Sequence, residues 1–192
     1  AQALDETKNN YLMGIVYVGE IFGLATADIS TGDFFVTEVE TERDLFDEIN
    51  KFSPSEIVCN EAFYMSGADI EEIKNRYHTV ISSLDSRFFG DDSCRQILKD
   101  HFKVSQLAGL GLGDYETGVV AAGAVMRYLY ETQKNTLGHM TTITTYSVGQ
   151  YMILDTSTRR NLELLETLRE KQKRGSLLWV LDKTKTAMGA RM

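Results

Sequence analysis

Cysteine, histidine and proline are scarce in this sequence. Its 192 residues include two cysteines, three histidines and one proline. The two cysteines form no Cys-x-x-Cys pair, and together with the scattered histidines they match no recognisable zinc-binding pattern; these residues are Cys59, Cys94, His78, His101 and His139. Their scarcity predicts a reduced interior without a metal ion.

Long apolar runs are also absent. The longest one, which includes Val119 to Met126, is too short to cross a bilayer. The first residues have neither the basic start nor the apolar stretch of a signal peptide. We therefore expect a soluble, unexported protein of the cytoplasm that makes no membrane contact.

Basic residues are outnumbered by acidic ones, 20 to 28, which gives a formal net charge of -8. This deficit argues against a chain that coats nucleic acid through bulk electrostatic attraction. The charge is uneven, because nine basic residues outnumber five acidic ones from Asp155 onward, whereas the preceding part has a net charge of -12. We therefore expect the two parts of the chain to face different neighbours.

The remaining composition is that of a globular domain, with 43% hydrophobic and 25% charged residues. Two segments rich in β-branched and aromatic residues, Tyr11 to Val18 and Ile21 to Ile29, are separated only by Gly19-Glu20 and are predicted to form a hairpin. A turn over 30–33 leads to a third strand, Phe34 to Val39. The sequence therefore predicts three antiparallel strands at its start.

Helices and strands alternate after these strands. Thr41 with Asp44 forms a capping pattern before a helical apolar stripe, and Ser66 with Asp69 repeats that pattern. The predicted elements are a helix ending at Ser53-Pro54, a strand from Glu56 to Cys59, a helix through Arg76, a strand from Thr79 to Ser82 and a helix from Asp92 to Phe102. Antiparallel hairpins followed by crossovers predict an α/β domain of the ribonuclease-H-like type, with a mixed sheet and flanking helices.

A glycine-rich segment marks the predicted domain boundary, and we predict a hinge at Gly109, Gly111 and Gly113. The predicted organisation is a linker over 1–10, a first domain over 11–113 and the truncated start of a mainly helical domain over 114–192. This second part is predicted to contain a helix capped by Asp114 and reaching Lys134, an extended segment over 143–154, and helices from Thr158 and from Gly175. Its apolar stripes lack a closing partner, which predicts a piece of a longer protein.

The carboxylates that a two-metal nuclease needs are missing from the predicted first strand, where such a site begins. Asp28 and Asp33 flank a turn, and Asp91-Asp92 lies where a helix cap is expected, so we interpret all four as structural. The glycines at 109–113 follow a helix rather than a strand, which does not fit a nucleotide-binding loop. We therefore predict no catalytic, cofactor-binding or metal-binding residue.

Two adjacent arginines form the most informative polar cluster. Arg159 and Arg160 fall in the first turns of a predicted helix, where cations oppose the helix dipole, so we expect bidentate pairing with carboxylates. The alternative is a solvated helix face. We take Asp155, Arg159, Arg160 and Asn161 as candidate residues for structural coupling.

Five segments in order along the chain resemble one known family. They are Asp28 to Phe34, Pro54 to Ile57, Glu116 to Gln133, Leu154 to Leu164 and Gly175 to Gly189. The fourth, which contains Thr-Arg-Arg-Asn-Leu-Glu-Leu, is the most specific. Together they closely resemble the MutS family of DNA mismatch repair proteins.

The resemblance implies an internal section of such a protein: a ribonuclease-H-like connector domain without nuclease activity, followed by the start of the helical core. It also implies signal transmission between mismatch binding and ATP hydrolysis. The implied partners are the other MutS domains, MutL, a second copy in a homodimer, and mismatched DNA bound through domains outside this chain. ATP and magnesium would belong to another domain, so no cofactor is expected here.

One further motif match and two alternative functions follow from the same residues. The resemblance implies that mismatches are read through a Phe-x-Glu motif in a preceding domain. Phe46-Asp47-Glu48 fits that motif, but it lies inside a predicted connector helix with Phe46 on the apolar stripe, so we interpret the match as coincidental. A stand-alone ribonuclease-H-like nuclease or phosphotransferase is an alternative, which metal-dependent cleavage of nucleic acid would favour. A pure protein-interaction module would differ from the connector only in scope.

Overall fold

The computed structural model describes residues 10–133 and 137–148. The six strands of these residues are β1 (Tyr11–Val18), β2 (Ile21–Asp28), β3 (Phe34–Val39), β4 (Glu56–Cys59), β5 (Val80–Ser83) and β6 (Thr144–Thr145). Their α-helices are α1 (Glu42–Phe52), α2 (Ile70–Tyr77), α3 (Asp91–Phe102) and α4 (Glu116–Thr132). The strands form one mixed sheet in the order β5-β4-β1-β2-β3-β6. A mixed sheet with flanking helices was expected, and it is confirmed.

The predicted antiparallel start of the sheet is confirmed. Gly19 and Glu20 both have positive φ, 58° and 66°, which is the geometry of a two-residue type I′ turn. This turn sets the register in which Val18 lies opposite Ile21. β3 has its predicted bounds, and β2 ends one residue earlier than predicted.

The crossovers after β3 build the parallel half of the sheet, where β4 pairs with β1 and β5 pairs with β4. Thr41 caps α1 as predicted, because its hydroxyl oxygen accepts the Asp44 N–H at 3.0 Å. The predicted cap of the next helix was only partly right. Asp69 caps α2 by accepting the Glu72 N–H, while Ser66 lies at the end of a preceding 3₁₀ helix.

The two faces of the sheet are covered by different helices. On one face the ring of Phe52 in α1 contacts Tyr11 and Phe35, at centroid distances of 5.1 and 5.5 Å. On the other face α4 crosses β1 and β2, and Val125 lies against Gly14. Because side chains alternate along a strand, this arrangement buries both faces of β1.

The position of α4 corrects the predicted domain boundary. The predicted second domain began at residue 114, but α4 packs on the sheet and on α3. The chain divides into two compact units, 1–152 and 153–192, and every described residue lies in the first. The apolar residues of α4 are buried around most of its circumference, which requires neighbours on more than one side. The boundary was predicted from the glycine-rich segment before residue 114, which instead connects α3 and α4 within the first unit.

Several predictions fall on residues that the structure does not describe. They are the linker except for Asn10, the end of the extended segment over 143–154, and the helices from Thr158 and Gly175. In the part of the chain that is described, no helix combines the length and apolar character that crossing a membrane requires.

Candidate functional site

The turn between β2 and β3 holds the carboxylates that raised the question of a nuclease. Asp28 is fully buried, and its Oδ1 accepts the Ser30 N–H at 2.9 Å and the Ser30 hydroxyl at 2.6 Å. The Gly32 N–H donates to the Asp28 carbonyl at 2.8 Å, and Gly32 has a φ of 85°. These contacts confirm that Asp28 shapes the turn. Over residues 10–133 and 137–148, no three His, Cys, Asp or Glu side chains are placed to hold a metal ion.

The Asp91-Asp92 pair also has a local role. Asp91 begins α3 and accepts a hydrogen bond from Arg95 Nε at 3.0 Å, one turn along the same helix. The N-cap residue is Gly90, without a side-chain hydrogen bond. The acidic pair therefore occupies the first turn, where carboxylates complement the helix dipole.

Two of the surface grooves among the described residues contain glutamate side chains. The larger, about 480 Å³, lies beside the β1–β2 turn and is lined by Glu20, Glu40 and Glu42. The smaller, about 190 Å³, contains Glu56 and Tyr128, whose hydroxyl donates to Glu56 Oε2 at 2.5 Å. Burial, with the neighbouring Glu56 carboxylate, raises the pKa of Tyr128 to about 12. This phenol therefore stays protonated and serves as a hydrogen-bond donor.

The predicted hinge glycines lie between α3 and α4. Gly111 has a φ of 81° and ends a 3₁₀ helix, Leu107–Leu110, and the Leu112 N–H donates to the Leu107 carbonyl at 3.1 Å. Leu107 and Leu112 are buried. Gly109 and Gly113 lie in the same connection and are exposed. Because α3 and α4 pack against each other, the three glycines lie inside one unit rather than between two. Their role as a hinge stays a prediction.

The predicted coupling residues lie outside the described part of the chain. This applies to Asp155, Arg159, Arg160 and Asn161. Their pairing with carboxylates stays a prediction.

The beginning of α4 is fixed by a side chain from the sheet. Asp114 was predicted to cap this helix, but the N-cap residue is Tyr115, which makes no side-chain cap. Instead, Glu38 Oε2 on β3 accepts the N–H groups of Thr117 and Gly118, each at 2.8 Å. A carboxylate at this end satisfies two orphan donors and complements the helix dipole.

The last described segment, which follows α4, returns to the edge of the sheet. Two residues of β6 pair in parallel with Phe35 and Val36 of β3. Tyr146 follows directly and is 7% exposed. Its hydroxyl donates to Glu48 on α1, and Lys51 Nζ lies 3.4 Å from the same Glu48 oxygen. This exit segment, residues 144–148, therefore joins β3 and α1 at the end of the described chain.

Sequence reasoning missed this cluster, although one signal was available. Glu48 and Lys51 alternate with Leu45, Ile49 and Phe52 on the buried side of α1. Charged residues among apolar ones on a helix face indicate a buried polar partner. The Phe46-Asp47-Glu48 motif does lie inside α1, as predicted, and its glutamate is buried in this cluster.

Comparisons with known proteins match both parts of the chain to domains of one family. The model of MutS domain II matches residues 10–141, and the model of MutS domain III matches residues 157–192. The change from one match to the other falls near the end of the first compact unit at residue 152, and not at the predicted boundary near residue 113.

Individual relatives match the chain over its whole length. The DNA mismatch repair protein MutS of Lachnoclostridium phytofermentans is 60% identical over 191 residues, which is 100% of this chain and 20% of that relative. The MutS proteins of Ruminiclostridium cellulolyticum and Acetivibrio thermocellus are 46% and 44% identical, each over 98% of this chain and 22% of its own length. The chain thus spans about a fifth of the length of these curated relatives.

Proposed function

Since this chain belongs to the MutS family of DNA mismatch repair proteins, we propose that it is a non-catalytic section that transmits signals between mismatch binding and ATP hydrolysis. Its matched sections are domains II and III, neither of which is the ATPase domain. The observation that carries the proposal is the match of domain II to residues 10–141, which covers most of the first compact unit. This chain would supply the connector domain and the start of the helical core of a longer MutS protein.

The same proposal includes a ribonuclease-H-like fold for the first unit. Its support is the strand order β5-β4-β1-β2-β3, in which an antiparallel start is extended by parallel crossover strands. The aspartates that remain near the end of β2 are used in turn geometry, as the contacts of Asp28 with Ser30 indicate. Such a unit would keep the scaffold of a nuclease fold for a mechanical role.

We also propose the partners that follow from family membership. They are the other domains of a full-length MutS, MutL, a second copy in a homodimer, and mismatched duplex DNA. The DNA would be bound through domains of the full-length protein other than domains II and III. ATP and magnesium would act in the ATPase domain of that longer protein. A location in the cytoplasm is part of the same proposal.

The first experiment tests the partner and the absence of catalysis together. The 192-residue chain is immobilised and mixed with purified MutL, and retention is measured against a chain-free support. In parallel, labelled single- and double-stranded nucleic acids are incubated with the chain and Mg²⁺ or Mn²⁺. The proposal predicts retention of MutL and no cleavage. Metal-dependent cleavage that co-purifies with the chain would instead support the nuclease alternative.

Binding of the chain to DNA gives a second comparison. We expect weak binding without preference for a mismatch. The net charge is -8, and the two matched domains, II and III, are not the domain to which we assign mismatch recognition. An electrophoretic shift assay at physiological salt compares matched and mismatched duplexes. A clear preference for the mismatched duplex would contradict the proposed division of roles.

The predicted arginine pair belongs to this proposal as a structural coupling element. If Arg159 and Arg160 form buried bidentate pairs, replacing both with Gln should lower the free energy of unfolding by about 3 kcal/mol or more. A solvated helix face would lose less than about 1 kcal/mol. The matched control replaces Lys183 and Lys185 with Gln, which gives the same change in net charge. Equal effects of the two double replacements would leave the arginines without a specific role.

A further inference from the structure

The exit segment suggests how displacement of the chain after residue 148 reaches the sheet. We propose that Tyr146 is a positioning residue that transmits such displacement to β3 and α1 through a buried hydrogen-bonded cluster. This inference rests on the proposed function, because it assigns a residue to the proposed signal transmission.

The backbone of Tyr146 is held from two sides. Its N–H donates to the Val36 carbonyl at 3.3 Å, which continues the pairing of β6 with β3. Its carbonyl accepts the buried Thr37 hydroxyl at 2.6 Å, and the Tyr115 hydroxyl approaches the same oxygen at 3.4 Å. Tyr115 is the N-cap residue of α4. The backbone of Tyr146 is therefore hydrogen-bonded both to β3 and to the residue that begins α4.

The side chain of Tyr146 extends this attachment to α1. Its hydroxyl donates to Glu48 Oε1, and Glu48 is 4% exposed. Lys51 Nζ lies 3.4 Å from that glutamate oxygen and 4.7 Å from the centroid of the Tyr146 ring. The tyrosine thus contributes both a hydrogen bond and an aromatic face to one buried ion pair.

The chemistry of this cluster makes it resist gradual displacement. If Tyr146 moves away, Glu48 loses a hydrogen-bond donor and Lys51 loses an aromatic face, which is unfavourable for charges held in a packed interior. The packed interior around them transmits strain rather than absorbing it. A displacement of Tyr146 therefore either moves β3 and α1 with it or breaks the cluster, and two such alternatives are what coupling between sites requires.

The experiment uses a full-length protein that contains the chain. In this full-length chimera, the 192 residues replace the matching section of the Lachnoclostridium phytofermentans MutS. Tyr146→Phe removes the hydroxyl and keeps the ring. The matched control, Tyr130→Phe, also removes a hydroxyl that contacts a side chain, because Tyr130 contacts His101 at 2.5 Å, but it lies on α4 away from the exit segment.

We expect Tyr146→Phe to lower the mismatch stimulation of ATP hydrolysis at least about threefold, with mismatch affinity and basal ATP hydrolysis unchanged. Tyr130→Phe should keep full stimulation. Unchanged stimulation in a folded Tyr146→Phe protein would overturn the assignment. Absence of stimulation in the unmodified chimera would instead contradict the proposed function, so the two failures are distinguishable.

Hydrogen exchange on the unmodified chimera keeps the inference testable if Tyr146→Phe does not fold. Amide exchange of residues 144–148 and of α1 is measured with matched and with mismatched duplex. We expect the mismatch to change exchange in both segments together, because the buried cluster joins them. A change confined to one segment, or to neither, would overturn the inference.

Discussion

Two glycines determine how closely α4 approaches its neighbours. A Cβ atom built on Gly23 would lie 2.5 Å from the Thr117 carbonyl oxygen, and one on Gly123 would lie 2.6 Å from the Cα atom of Cys94. Both close contacts are with backbone atoms, which cannot rotate away. At these positions the absence of a side chain is therefore a packing requirement.

Replacement of Gly23 tests this requirement. Gly23→Ala should lower the free energy of unfolding by about 1–3 kcal/mol, because the added methyl group forces α4 away from β2. The matched control is Gly109→Ala, where the nearest side-chain atom would be 3.9 Å from the new Cβ. Chemical denaturation of the 192-residue chain measures both changes. Equal effects at the two positions would contradict the packing account.

The two buried cysteines give a second test at the residue scale. Burial raises the pKa of Cys59 to about 12 and that of Cys94 to about 11. The thiolate is the reactive form, so a raised pKa leaves little of it near neutral pH. We expect a thiol reagent at pH 8 to label neither cysteine rapidly in the folded chain and both after denaturation. Rapid labelling of either one without denaturant would contradict its burial.

At the scale of elements, local signals predicted more than long-range ones. The bounds of β1, β3 and β4 were predicted correctly, since alternation and turn residues are written in the adjacent sequence. The packing of α4 was not predictable in this way, because its partners come from distant parts of the chain. Its start depends on Glu38, a residue of β3, and not on the adjacent Asp114.

The long-range cap of α4 is therefore a specific prediction. Glu38→Ala should lower the free energy of unfolding by about 2 kcal/mol, since two backbone N–H groups lose a charged acceptor. Glu38→Gln should cost less, because its amide oxygen can still accept a hydrogen bond. Glu40→Ala is the matched control, with the same loss of charge at an exposed neighbouring position. If the two alanine variants unfold at the same denaturant concentration, Glu38 does not stabilise α4.

For the whole molecule, the sequence predicted the sheet and the family but placed the domain boundary too early. The family can be recognised from short segments of sequence without knowing how the helices pack. A domain boundary, in contrast, depends on which elements each helix packs against. A helix buried around most of its circumference belongs to the unit that covers it, here the first compact unit. The exit segment was missed for a similar reason, because Tyr146 and Glu48 meet only in the folded chain.

In the proposed function, this section relays a signal along the chain that leaves residue 148. The most direct measurement is mismatch-stimulated ATP hydrolysis in the full-length chimera with a short Gly-Ser insertion after Val148, directly beyond the exit segment. The matched control places the same insertion after Gly67, where a Cβ atom would meet no neighbour within 4 Å. We expect the insertion after Val148 to abolish stimulation while mismatch affinity and basal hydrolysis persist. The control insertion should leave all three unchanged. Full stimulation with the insertion after Val148 would contradict the proposed relay.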